Sequence, residues 1–271
     1  MQSFVGTRPS SSETGWSDAP DARLIQRYRR VRAAMPALAR GLSSKDLAAQ
    51  AMPDASPGKW HLAHTSWFFE AMVLSRQPGY APVDDRLQTL FNSYYDSLGQ
   101  RVAREARGLM TRPSLDECLA YRREIDVRVI GSIEAGGLDE QTIRLIELGL
   151  HHDQQHQELF LMDLLALFAR SPLDPAVYAV EPRCAPAEAS IDGEQAFDSV
   201  LATIGAGGEG FAFDNERPAH RVWLEPFRLA RDLVPNRDWI RFIEDGGYRR
   251  PELWLSDGWS RVQAEGWSAP L

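Results

Sequence analysis

The sequence predicts an α+β protein, with a bundle of long helices first and a smaller mixed α/β segment after it. Three observations carry that expectation. Apolar residues recur every three or four positions along most of the chain up to Ala169, the period of a buried helix face. Pro172, Pro175, Pro182 and Pro186 then interrupt any regular pattern. From Ala196 onward, short apolar runs alternate with Gly, Asn and Asp turns, and five of the eight tryptophans fall from Trp223 on. The expected domains are a disordered polar tail over 1–21, the bundle over 22–171, a linker over 172–195 and a partial mixed domain over 196–271. The last shows no closing element and reads as the opening of a longer domain.

Taken in order, Asp21 is placed to cap a first helix over Ala22–Leu42, with Leu24, Ile25, Tyr28, Val31, Met35 and Leu38 on one face. The turn-forming MPDASPG delivers the chain into a second, amphipathic helix from about Lys59 to Leu74. A third helix, rich in aromatics, is expected over Arg86–Leu98. Ser114 followed by Glu117 has the spacing of a capping box and opens a fourth, ended by Gly136 and Gly137. The fifth and longest spans Asp139–Ala169.

Composition excludes several classes. A net charge of −8, with no long basic run, argues against nucleic acid or an anionic membrane as partner. No apolar stretch approaches the ~18–20 residues of a membrane span, and the first residues lack the layout of a signal peptide. Cys118 on a helix and Cys184 in a loop have no CxxC spacing and read as buried or free thiols, which fits the cytoplasm.

Five of the six histidines form two clusters, His61 with His64 and His151–His152 with His156. Four residues apart on a helix, His152 and His156 differ by only about 40° in azimuth, so their rings point the same way one turn apart. His151 and His156 diverge by about 140° and make a poorer pair. Leu145, Leu148, Gly149, Leu159 and Asp163 share the azimuth of the pair, which turns it toward the interior. Two buried imidazoles without a charge partner are expensive, and a metal ion satisfies them. The third ligand is expected from a neighbouring helix. His61 and His64 both offer one, and His64 shares a face with Trp60, Trp67, Phe68 and Ala71. Asp153 stands where a zinc protease needs glutamate. Ligand softness leaves Fe(II), Zn and Ni open.

Arg101, Arg104 and Arg107 follow the third helix as either a solvated loop or a carboxylate clamp. Trp67, Phe68, Phe91, Tyr94 and Tyr95 read as core rather than a cation cage.

Together, MPDASPGKWHLAHTSWFFE, LFNSYYDSLG, HHDQQHQEL, GFAFDNERPAHRV and GGYRRPELWLSDGW resemble the sulfoxide synthases of ergothioneine biosynthesis. Selenoneine synthases and ovothiol-pathway sulfoxide synthases share that architecture. The resemblance runs from about residue 22 to the end. It implies a DinB-like helical bundle followed by the beginning of a formylglycine-generating-enzyme-like (sulfatase-modifying-factor) domain. It further implies a non-haem Fe(2+) site on His64, His152 and His156. The implied reaction uses O2 to join a thiol, cysteine or γ-glutamylcysteine, to the imidazole of hercynine as a sulfoxide. By motif, Gln155 falls where the family contacts the hercynine carboxylate, and Arg104 and Arg107 where an RxxR pair binds the thiol substrate's carboxylates. Glu158 or Asp153 is a candidate for orienting a ligand ring. The family's catalytic tyrosine lies late in its second domain, beyond residue 271. The competing readings are a selenoneine synthase, a DinB-like metal-dependent thiol transferase and a non-catalytic metal-binding fragment.

Overall fold

The computed structural model describes residues 20–93, 101–178, 193–208 and 210–270. The chain divides into two units, 1–179 and 180–271. The tail, Tyr94, Tyr95 and Cys184 lie outside the described residues.

The first unit is helical. Helix α1 covers Pro20–Leu38, α2 Gly58–Met72, α3 Asp85–Leu90, α4 Leu115–Glu134 and α5 Glu140–Phe168. Asp21 sits inside the first turn of α1 instead of capping it, because Pro20 occupies the early position where its fixed φ suits a helix and its missing N–H costs nothing. Ser114 and Glu117 form the capping box of α4, and the Asp139 side chain accepts from the Thr142 N–H to open α5.

Two further expectations are corrected. Helix α2 is not amphipathic: every residue from Lys59 to Glu70 is buried. It packs against both α4 and α5 and takes the central place in the bundle, which is where a helix covered on all sides belongs. Its polar groups are accordingly satisfied inside the protein. Lys59 Nζ donates to the carbonyls of Met110 and Pro113, and Glu70 accepts from Tyr80, Tyr121, Gln88 and the Val83 N–H.

The second correction concerns α3, which ends at Leu90, so that Phe91–Ser93 are not helical. The Phe91 carbonyl is used instead by His64, whose Nδ1 lies 2.6 Å away.

The core runs from Tyr28 and Val31 through Trp60, Trp67, Phe68, Phe69 and Phe91 to Ile125, Val129, Ile146 and Leu150. Gly149 is required where α5 meets α2: a Cβ there would stand 2.6 Å from the Phe69 ring, closer than carbon atoms approach. Cys118 is buried and free, and burial pushes its thiol up to about 11.

Beneath the core runs a buried ion network. The Asp153 carboxylate accepts from Arg32 Nη1 at 2.8 Å and Arg122 Nη2 at 3.0 Å, and Gln157 donates to its other oxygen. Arg32 also reaches Asp126 at 2.6 Å.

The second unit combines strands and short helices: β1 Glu194–Phe197, β2 Val200–Ile204, β3 His220–Leu224, β4 Phe227–Ala230, α6 Asn236–Glu244 and α7 Ser256–Glu265. Strands β1 and β4 pair antiparallel, as do β2 and β3. Phe197 stands opposite Phe227 and Val200 opposite Leu224, so both pairs keep one register and form a single interrupted ribbon. Pro226, at the interruption, has no N–H to donate to a ladder. With a helix-rich first unit and this small strand region, the chain is α+β.

Candidate metal centre

Helix α2 presents Trp60, His64 and Trp67 on one face, at the helical spacings of four and three. The His64 ring lies between the two indoles, stacked on Trp60 at 4.4 Å between centroids and on Trp67 at 5.5 Å. With Nδ1 turned to the Phe91 carbonyl, its Nε2 is left facing α5. There it meets His152 Nε2 at 3.2 Å. The His152 ring rests against Phe68, at 4.6 Å between centroids. His156, one turn further along α5, has its ring centroid 4.5 Å from His152 and 4.6 Å from His64.

Each of the three histidines thus offers a nitrogen within 4.8 Å of the other two. Two nitrogens bound to one ion at about 2.0–2.1 Å stand roughly 3.0–3.4 Å apart, and the His64–His152 spacing matches. All three rings are held neutral, as ligands must be. Burial pushes His64 and His156 well below the ordinary histidine value, with help from His152, His61 and the Arg107 guanidinium, and for His156 from His64 as well. Burial lowers His152 to about 4. His152 Nδ1 is buried with no hydrogen-bond partner among the described residues. Three neutral, converging imidazoles fit a divalent transition ion.

The centre lies in a cavity of about 480 Å³, whose wall also includes Gln155, Glu158, Arg104 and Arg107. Arg104 and Arg107 are on a 3₁₀ helix, Arg104–Leu109, where residues three apart eclipse and share a face. Arg107 is buried, 3.5 Å above the Trp60 ring, and donates to the hydroxyls of Ser56 and Ser93. Arg104 is half-buried and reaches the Asp54 carbonyl. Trp67, Phe68 and Phe91 are core. His151 faces α1, where Arg27 Nη2 lies 2.8 Å from its Nε2.

From sequence, His61 is only an alternative third ligand and Asp163 only a residue on the azimuth of the α5 pair; their contact with each other is not predicted. His61 Nδ1 lies 2.9 Å from His156 Nδ1, and His61 Nε2 lies 3.0 Å from Asp163 Oδ2. The usable signals were the HxxH spacing of His61 with His64 and the position of Asp163 seven residues after His156, on the same helix face. Asp153 does not orient a ligand ring, because its carboxylate is committed to Arg32 and Arg122. Glu158 is exposed and bonds to no ligand ring among the described residues.

No family model matches the chain. Three curated proteins named hercynine oxygenase are similar to it. That of Mycolicibacterium smegmatis is 30% identical over 232 residues, which is 83% of this chain and 51% of the relative. That of Mycobacterium tuberculosis is 30% identical over 229 residues with the same coverage. That of Mycolicibacterium thermoresistibile is 29% identical over 231 residues, 83% of this chain and 49% of the relative. The chain spans about half the length of the curated relatives it matches. Among the described residues, no helix is long and apolar enough to cross a membrane.

Proposed function

We propose that this chain carries the iron centre of an O2-dependent sulfoxide synthase, acting on hercynine and a thiol, cysteine or γ-glutamylcysteine. The observation that carries the reading is the convergence of three neutral imidazoles on a cavity with two arginines, in a chain similar to hercynine oxygenases. On this reading residues 22–171 are a DinB-like bundle, and 196–271 open a domain of the formylglycine-generating-enzyme type.

His64, His152 and His156 would hold Fe(II). The ion would supply acidification of the thiol and activation of O2 beside both organic substrates. Overall, the thiol S–H and the imidazole C–H are lost, a C–S bond forms, one oxygen of O2 ends on sulfur and the other leaves as water. Gln155, one residue before His156 and on the cavity wall, would take the hercynine carboxylate. Arg104 presents a guanidinium to the cavity for the carboxylates of the thiol substrate. Arg107, fixed by Ser56, Ser93 and Trp60, adds a positive charge that does not have to be reorganised when an anion arrives.

The test is anaerobic loading with Fe(II), then hercynine and each thiol, with O2 uptake and product mass recorded on admission of O2. The expected result is O2 uptake that requires Fe(II), hercynine and thiol together. Thiol consumption without O2 would point to a transferase, and turnover with a selenium donor alone to a selenoneine synthase. Protein with neither stoichiometric metal nor a response to hercynine would overturn the proposal.

A further inference from the structure

We infer that Asp163 and His61 are positioning residues that fix the tautomer of His156, so that its Nε2 presents a lone pair to the metal centre. The inference rests on the metal reading proposed above and goes beyond it by naming what prepares one ligand.

The argument follows the protons along the chain of contacts. Asp163 Oδ2 accepts the backbone N–H of Ser56 at 2.8 Å, a group that can only donate, so this oxygen faces its neighbours as an acceptor. His61 Nε2, 3.0 Å from the same oxygen, must therefore carry the hydrogen of that contact. A neutral imidazole has one N–H, so His61 Nδ1 is left as an acceptor. The contact of 2.9 Å between His61 Nδ1 and His156 Nδ1 then requires the hydrogen to sit on His156 Nδ1. His156 Nε2 is thereby the unprotonated nitrogen, the form a metal ion needs.

The geometry is held from several sides. His61 is on the buried helix α2, His156 and Asp163 are two turns apart on α5, and Ser56 pins the carboxylate from the segment before α2. His61 is buried and its ring meets Phe160 edge-on at 6.3 Å, which restricts its rotation. Relays of carboxylate, histidine and metal normally have two protein groups in line. Here a second imidazole is inserted, which lets a carboxylate two turns away set the state of the ligand.

The tautomers are read directly by ring ¹⁵N NMR on metal-free wild-type protein. His156 is expected protonated at Nδ1 and His61 at Nε2. In Asp163→Leu the acceptor that keeps the hydrogen on His61 Nε2 is gone and both tautomers are expected to lose their fixed state, whereas Asp163→Asn keeps them, because the Ser56 N–H holds the amide oxygen at that position. Metal affinity, measured by competition between Fe(II) and a chelator, is expected to fall ~10–100-fold in His61→Leu and in Asp163→Leu. His61→Gln, whose carboxamide offers one acceptor and one donor, is expected to recover most of that loss. A wild-type His156 protonated at Nε2, or a His61→Leu protein that binds Fe(II) like the wild type, would overturn the relay. Wild-type protein that binds no Fe(II) would instead bring down the metal centre itself.

Discussion

His156→Ala is expected to lower Fe(II) affinity by more than the ~10–100-fold typical of an outer-sphere partner, and His64→Ala and His152→Ala to do the same. Each substitution removes one of the three ligand nitrogens that converge among the described residues and leaves the other two with an incomplete ligand set. Near the centre, Asp163 is already engaged by Ser56 and His61, and Asp153 by two arginines, so neither is free to replace a missing ligand. Metal content after equilibration against a weak chelator measures the effect. Full ferrous occupancy in all three variants would contradict the assignment. The fold is expected to survive, because neutral histidine to alanine leaves no buried charge unpaired.

Asp153→Ala is expected to act on stability instead, by about 3–5 kcal/mol, the usual cost of breaking a buried ion pair from one side. The substitution strands two buried guanidiniums. Arg32 keeps Asp126, but Arg122 has no other carboxylate among its hydrogen-bond partners in the described residues. Burial by itself would raise the Asp153 carboxyl, but Arg122 and Arg32 hold it below the usual carboxylate range. A group depressed in this way stabilises the fold at every pH above its unfolded value, about 3.9. That contribution fades only as acid protonates the folded carboxyl below this value. Denaturant unfolding at pH 7 should therefore show nearly the full loss in the variant, while near pH 3 the difference from wild type shrinks. Equal midpoints at pH 7 would contradict the account.

What could be read from the sequence follows the range of the interaction. The azimuthal match of His152 and His156 is set by helix geometry within one turn, and the capping box of α4 and the breakers around α4 and α5 are equally local. The placement of His64 beside Trp60 and Trp67 is local too, and the structure brings it to the α5 pair. Properties that depend on which helices meet were not accessible. The full burial of α2 comes from neighbours far away in sequence, so its polar residues suggested an exposed face that does not exist. The sequence predicts α3 beyond Leu90 because its aromatic spacing continues, whereas the Phe91 carbonyl is claimed by His64, 27 residues earlier. His61 and Asp163 are 102 residues apart, and nothing short of the packing of α2 on α5 reveals that they touch. The ribbon of the second unit shows the same divide: its turn residues were visible, but its continuous register was not.

The most direct test is crystallographic. Crystals of this chain grown with Fe(II) under anaerobic conditions should show one anomalous-difference peak at the iron edge, about 2.0–2.2 Å from Nε2 of His64, His152 and His156. A peak elsewhere, or one bound through His61 in place of any of the three, would contradict the account.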